Sequence, residues 1–206
     1  MDEVELHEDV ELADTELTER DCTGVSLAGA DIARCRFVGV RFAGVSFEGA
    51  RLVDVAFVRC DLAGADYSEA TGLRVEASDC RFAGAEFPRA GFRRTDFVGC
   101  RFDDANLRMT QLEDVTFTEC TLLEADFTGA TLTRVKLDGS ECAAADFTKA
   151  KCQEVDLRGA RLEGVRGVGS LRGAIIATEQ LVPLALDLAL AIGITVRDGE
   201  MPDPGQ

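Results

Sequence analysis

The amino-acid sequence predicts an all-β protein, a single β-solenoid of five-residue repeats closed by a short apolar helix. Three observations carry this. A large apolar residue recurs at every fifth position, with few gaps and no break in register, from Leu12 to Leu162. A small residue stands two positions before nearly every one of these centres. After residue 166 the repeat gives way to a glycine-rich stretch and then to a run, Leu181 to Ile192, that is apolar except for Asp187.

The register is the strongest of the three. All twelve Phe and the one Tyr fall on it, where random placement would put about a fifth of them. Every cysteine lies either on it (Cys22, Cys142, Cys152) or on the small-residue position (Cys35, Cys60, Cys80, Cys100, Cys120). Side chains two apart in an extended segment share a face, so the centre and the small residue point inward and the other three positions face water. A helical period of 3.6 or a long alternating strand does not yield strict fives, whereas a coil that turns after every repeat does.

Two places depart from the pattern. Gly72 and Ala77 stand where large centres belong, each forgoing the roughly 1.5–3 kcal/mol that burying a Phe or Leu contributes. With Leu73 placed outward, they mark residues 68–79 as a bulge, a bend or an underpacked coil. Arg20 falls on an inward position, which implies that regular coils begin after it or that the first coil is distorted.

Composition narrows the class. With 206 residues and no Ser/Gly/Pro-rich linker, the chain reads as one domain. Its opening is acidic rather than a secretory signal, and no apolar run reaches membrane-spanning length, so a cytoplasmic protein with reduced cysteines is expected. The net charge of −16 disfavours direct contact with nucleic acid or anionic membrane and favours a basic partner surface. Half of it lies in residues 1–20, where Asp2, Glu3, Glu5, Glu8, Asp9, Glu11, Asp14, Glu16 and Glu19 face only Arg20. The expected organisation is an acidic leader at 1–11, the repeat solenoid at 12–166, a cap with a helix at 167–196, and a disordered tail at 197–206.

In the cap, Thr178 is a candidate N-cap, Pro183 favours a later helix start, and Gly193 ends the helix. A helix apolar on all sides cannot bury itself on one coil end, so it is expected to form a homodimer through Leu181, Leu184, Leu188 and Ile192, in preference to capping a monomer. Ile194–Val196 is a candidate strand.

The pattern Ala-(Asp/Asn)-(Leu/Phe)-X-X, as in Ala125-Asp126-Phe127-Thr128-Gly129, resembles the pentapeptide repeat family over about three quarters of the chain. The resemblance implies a right-handed quadrilateral β-helix with four repeats per coil. The 31 centres would then make about eight coils, and at roughly 4.8 Å per rung the rod would be about 37 Å long. Cys60, Cys80, Cys100 and Cys120 would stack on one inner face, where cysteine as a small buried filler is favoured over a metal or redox strip. The cap, with Leu171-Arg-Gly-Ala174, Ile176, Gln180 and Leu190–Val196, resembles the MfpA and Qnr members. That implies a dimer joined at its C-termini whose rod mimics DNA, binds DNA gyrase or topoisomerase IV, and lessens the action of fluoroquinolones or a related gyrase poison. Like MfpA, and unlike many Qnr proteins, the chain shows no insertion loops between coils.

Mimicry requires outward carboxylates. From residue 95 to 146 there are eleven acids against four bases. Asp66, Glu86, Asp126 and Asp146 form one outward column interrupted by Asn106, and Asp103, Asp104, Glu113, Asp114, Glu119 and Glu124 lie near it. Rungs of about 4.8 Å do not match the 3.4 Å step between phosphates, so an overall negative field is implied rather than a charge-for-charge copy.

An enzyme is the least favoured class. His7, the sole histidine, lies in the leader, and no phosphate loop, dinucleotide fingerprint or Cys-x-x-Cys site appears, so no catalytic residue, cofactor or metal is expected. Two readings stay open: a topoisomerase-binding DNA mimic, and a scaffold for another protein partner. A continuous negative face would favour the first; mixed charge with an apolar patch at Leu73 or Val98 would favour the second.

Overall fold

In the computed structural model, which describes residues 5–197, the chain winds into a parallel β-solenoid of about seven turns with one short helix at its C-terminal end. The first residues of the acidic leader and the tail from 198 onward lie outside the described residues. Strands β1 (Glu11–Ala13), β2 (Glu16–Thr18), β3 (Asp31–Ala33) and β4 (Arg36–Val38) open the solenoid. Four eight-residue strands follow: β5 (Arg51–Val58), β6 (Thr71–Ser78), β7 (Gly91–Val98) and β8 (Gln111–Thr118). Three short ones close it: β9 (Thr131–Thr133), β10 (Lys136–Asp138) and β11 (Lys151–Gln153).

Each residue pairs with the one twenty positions on, as in Glu11↔Asp31, Leu52↔Gly72 and Phe97↔Phe117. Twenty residues per turn at five per repeat make four faces. Face 1 carries the centres from Leu12 to Cys152, face 2 those from Leu17 to Leu157, face 3 those from Cys22 to Leu162, and face 4 those from Leu27 to Phe147. On face 1 the strands stack in the order β1, β3, β5, β6, β7, β8, β9, β11, so eight rungs span seven full turns.

The turn after each repeat comes from the position two after the centre. It holds a left-handed backbone throughout, at twenty non-glycine residues such as Asp54 (φ 56°) and Arg134 (φ 53°), as well as at glycines. A non-glycine residue there costs roughly 1–2 kcal/mol, offset by the burial of two side chains per repeat. On faces 3 and 4 the chain also closes a β-turn, with the amide three residues on donating to the centre's carbonyl, as Val45 does to Phe42. There Gly44 supplies the positive φ that such a turn requires at its third residue.

Inside, all twelve Phe are buried, and rings stack rung on rung. Phe47, Tyr67 and Phe87 lie nearly parallel at 4.7 and 4.8 Å, and Phe82 and Phe102 at 4.6 Å. Cys60, Cys80, Cys100 and Cys120 stack as free thiols, the Cys60 amide donating to Cys80 Sγ at 3.3 Å. The adjoining thiol and burial push Cys80 and Cys100 up to about 12, which keeps them protonated and inert at neutral pH.

Two expectations are corrected. Of the alternatives for residues 68–79 the bulge is ruled out, because β5, β6 and β7 pair without a slip through Gly72 and Ala77. The Gly72 slot is filled by the Phe92 ring from the next rung, which a Cβ at Gly72 would overlap. The first coil is also regular: β1 and β2 pair in register with β3 and β4, and the half-buried Arg20 does not disturb them.

At the far end, two short 3-10 turns at Val168–Ser170 and Thr178–Gln180 lead into helix α1 (Leu181–Ala191). Gln180, not Thr178, organises the entry. Its Oε1 accepts from the Ala177 amide at 2.7 Å, and its Nε2 donates to the Leu157 and Ala160 carbonyls at 2.7 and 2.6 Å, closing bonds that the last coil leaves open. Pro183 sits in the first turn, where its missing N–H costs nothing. Gly193, at φ 84°, ends the helix, and residues 194–197 form no strand.

Candidate protein-binding surface

The register distributes the ten candidate acids over all four faces. Asp66, Glu86, Asp126 and Asp146 form one column on face 4, bridged rung to rung through Asn106. Asp103, Asp104 and Glu124 lie on face 3, Glu113 and Asp114 on face 1, and Glu119 on face 2.

Much of this charge is already used within the chain. In the face 4 column, Asp66, Asp126 and Asp146 each accept the backbone amide two residues on, from Ser68, Thr128 and Thr148, all at 2.8 Å. An aspartate just before the centre thus fastens its own turn, a physical reason for the Asp/Asn preference at that position. Asp126 and Asp146 also meet Arg108 (3.5 Å) and Arg166 (3.2 Å), and Glu86 accepts from Asn106. Asp103 is largely covered and tied to Arg101 at 3.0 Å. Glu113 is shared by Arg93 and Arg134, and Asp114 is held by Arg134. Hydrogen bonding from Arg134 keeps the Asp114 carboxyl below its ordinary range, as Arg34 does for Asp14 and Arg74 for Asp54. Asp104, Glu119 and Glu124 have no ion-pair partner among the described residues.

Nine of the fourteen ion pairs among the described residues follow one geometric rule: an acid meets a base twenty residues on, directly above it on the next rung. Of the fourteen ion pairs among the described residues, thirteen lie on faces 1, 3 and 4. Face 2 has one, Arg158 with Asp156, at its last rung. Its other seven carboxylates, Glu16, Glu19, Glu76, Asp79, Asp96, Glu119 and Asp138, are unpaired among the described residues. On the middle rungs Glu76 pairs with Asp96 and Asp96 with Thr116, so the register brings no base to either on the next rung, and Arg59, twenty before Asp79, makes no ion pair with it. Glu76, Asp79 and Asp96 escaped the sequence reading, which weighed charge along the chain. The twenty-residue alignment that gives the Asp66 column, extended to every outward column and to the bases, exposes them.

Apolar side chains break the polar surface at few places. Val98, at 46 % exposure, stands in the middle of face 2, with Leu123 on face 3 and Met109 at the corner of faces 4 and 1. Leu73 is half-buried at the edge of a shallow hollow of about 410 Å3 on face 1, where Gly72 and Gly91 carry no side chain. Its charged walls, Arg51 and Arg93, are occupied by Asp31 and Glu113.

The four helix positions expected to join two copies divide. Leu184 is 2 % exposed and Leu188 half-buried, both packed on the chain's own coil end, so Leu184 is turned away from any second copy. Leu181 and Ile192 are exposed, and with Val182, Leu186 and Leu190 they make the outward apolar surface. Because α1 is apolar all round, nothing in its sequence distinguished its two sides. Among the described residues no helix is long and apolar enough to cross a membrane.

Comparison with known proteins agrees with this geometry. A family model described as a pentapeptide repeat region matches residues 73–147, and one described as pentapeptide repeats (8 copies) matches residues 21–57, together more than half of the chain. No curated protein matches the sequence. Among solved structures, a trypsin-treated form of QnrB1, a plasmid-mediated fluoroquinolone resistance protein, is 24 % identical with a TM-score of 0.54, covering 93 % of this chain and 99 % of that one. HetL, a pentapeptide repeat protein involved in heterocyst differentiation regulation from the cyanobacterium Nostoc sp. strain PCC 7120, is 22 % identical over 82 % of this chain and 90 % of its own, with a TM-score of 0.37. By its period, its twenty-residue register and the two family-model matches, the chain belongs to the pentapeptide repeat family.

Proposed function

We propose that this chain is a non-enzymatic, protein-binding rod that engages the DNA-binding surface of DNA gyrase or topoisomerase IV, standing in for the negative field of DNA and lessening the action of fluoroquinolones. The observation that carries this reading is a surplus of outward carboxylates held on rigid, evenly spaced rungs, on a fold shared with a fluoroquinolone resistance protein. A rigid array loses little conformational freedom on binding, and its field steers a basic partner toward it. Such a protein acts in the cytoplasm, as a homodimer joined through the exposed side of α1, with Leu181, Val182, Leu186, Leu190 and Ile192 in place of the stripe that includes Leu184.

The test is DNA supercoiling by purified gyrase across a titration of the protein, with and without a fluoroquinolone. Inhibited supercoiling or relief of drug-stabilised cleavage is expected. No effect at concentrations well above the enzyme's refutes the reading for that gyrase. The alternative, a scaffold for a different protein, draws support from Val98, Leu123 and Met109, exposed apolar side chains that a pure charge mimic does not need.

A further inference from the structure

Face 2 differs from the rest of the rod in a way the proposed function does not require. We propose that it is the docking face, and that its occupant is a lysine- and arginine-bearing helix of the partner protein laid along the rod axis. This inference rests on the proposed function only in taking the partner's surface to be basic.

The case begins with the sheet face itself. The column just after the centres on face 2 reads Val38, Val58, Ser78, Val98 and Thr118, successive partners in the strand register. It is a flat line of small side chains, and Val98 is its most exposed apolar member. Carboxylates flank the line on both sides: Glu76 and Asp96 on one, Asp79 and Glu119 on the other. Within the Debye length of about 8–10 Å a carboxylate bonded to its own arginine presents little more than a dipole to an approaching molecule, whereas an unpaired one presents a whole charge. Of the bases nearby, Arg74 is held by Asp54, Arg81 by Asp61 and Arg101 by Asp103, while Arg59, one rung before Asp79, and Arg94, at the corner with face 1, bound the acidic stretch without entering the rungs from Glu76 to Glu119 on face 2. The middle of face 2 is therefore where the rod's negative field reaches furthest while costing no internal ion pair to engage.

Geometry selects a helix. Carboxylate rungs repeat at about 4.8 Å along the axis, and side chains three or four apart on a helix stand about 5–6 Å apart. A helix with lysine or arginine at that spacing meets rung after rung, while the aliphatic stems of those side chains cover the valine line. A protruding loop or a broad flat basic surface would meet one or two rungs and leave Val98 wet.

The experiment is carboxylate footprinting, by carbodiimide coupling and mass spectrometry, of the full-length protein alone, with purified gyrase, and with a synthetic alanine-based helix carrying a lysine at every fourth position. Two variants with equal charge change accompany it: Glu76→Gln/Asp79→Asn/Asp96→Asn/Glu119→Gln on face 2, and Asp14→Asn/Asp31→Asn/Asp54→Asn/Glu113→Gln on face 1. Protection concentrated on face 2, with affinity for both probes lowered about tenfold or more by the face 2 variant and less than about twofold by the face 1 variant, is the expected result. Equal weakening by both variants, or protection centred on another face, overturns the inference even if gyrase binds. If gyrase does not bind but the lysine helix protects face 2, the proposed function fails and the docking face stands. If the wild-type protein binds neither probe, the docking face fails as well.

Discussion

Faces 1 and 2 run side by side along the rod, share one core and one register, and treat charge in opposite ways. Face 1 holds seven acids and seven bases over its outward positions, interlocked rung to rung through pairs such as Asp14–Arg34, Asp54–Arg74 and Asp114–Arg134. Face 2 holds eight acids and four bases, and on its middle rungs, between Glu76 and Glu119, there is no base at all. Since both faces are built from the same repeat, the fold does not dictate the difference. A solenoid with many outward positions can give one side to holding itself together and leave another free; a base at an interval of twenty permits the first role without compelling it, since Arg36 stands opposite Glu16 on face 2 and forms no ion pair with it.

That comparison can be broken first from inside. Phe92 fills its own place on face 1 and the slot left by Gly72, so Phe92→Ala should cost about 3–5 kcal/mol. Gly72→Leu, which restores the repeat consensus, should cost roughly 1–3 kcal/mol through overpacking rather than stabilise. Urea denaturation should show the double variant to be less damaged than the two single losses added together. A stabilised Gly72→Leu protein would show that the slot is empty.

The outside gives the next largest effects. The face 2 amide variant should lose binding to gyrase while keeping its melting temperature, because its side chains hold no ion pair among the described residues. The face 1 variant should keep binding and melt lower. Calorimetry and a binding assay on the two proteins read both columns of this comparison, and a face 2 variant that melts lower would mean that its carboxylates are structural too.

Acid sharpens the contrast further. The Arg34, Arg74 and Arg134 hydrogen bonds hold Asp14, Asp54 and Asp114 below the ordinary value of 3.8. A carboxyl with a depressed folded-state value stabilises the fold above its unfolded value, and that contribution is lost as pH falls through the depressed one. Melting temperature should therefore drop as pH goes below about 4, and less steeply in Asp14→Asn/Asp54→Asn/Asp114→Asn. The smallest effect is that of salt. Raising ionic strength should weaken gyrase binding through face 2 far more than it lowers the melting temperature, since exposed ion pairs contribute little to stability.

The core and the solenoid were legible in the sequence because a period of five leaves no other way to bury Phe37, Phe42 and Phe47 together. Gly72 misled because one position reveals its own side chain and not the ring that arrives from twenty residues away. The bonds that Asp66, Asp126 and Asp146 make within the chain were hidden for a related reason. An outward acid looks available, but its nearest donor is its own backbone amide two residues on, a bond that only the turn geometry discloses. Glu76, Asp79 and Asp96 were missed because charge summed along the chain mixes four faces, and the orientation of α1 was hidden because Leu184 and Leu186 are chemically alike.

The most direct measurement is fluoroquinolone-stabilised DNA cleavage by gyrase in the presence of equal concentrations of the wild-type protein, the face 1 variant and the face 2 variant. Relief by the wild-type and face 1 proteins alike, with about a tenfold loss of potency in the face 2 variant, is the predicted result. Equal potency of all three proteins, or no relief by the wild type, would contradict it.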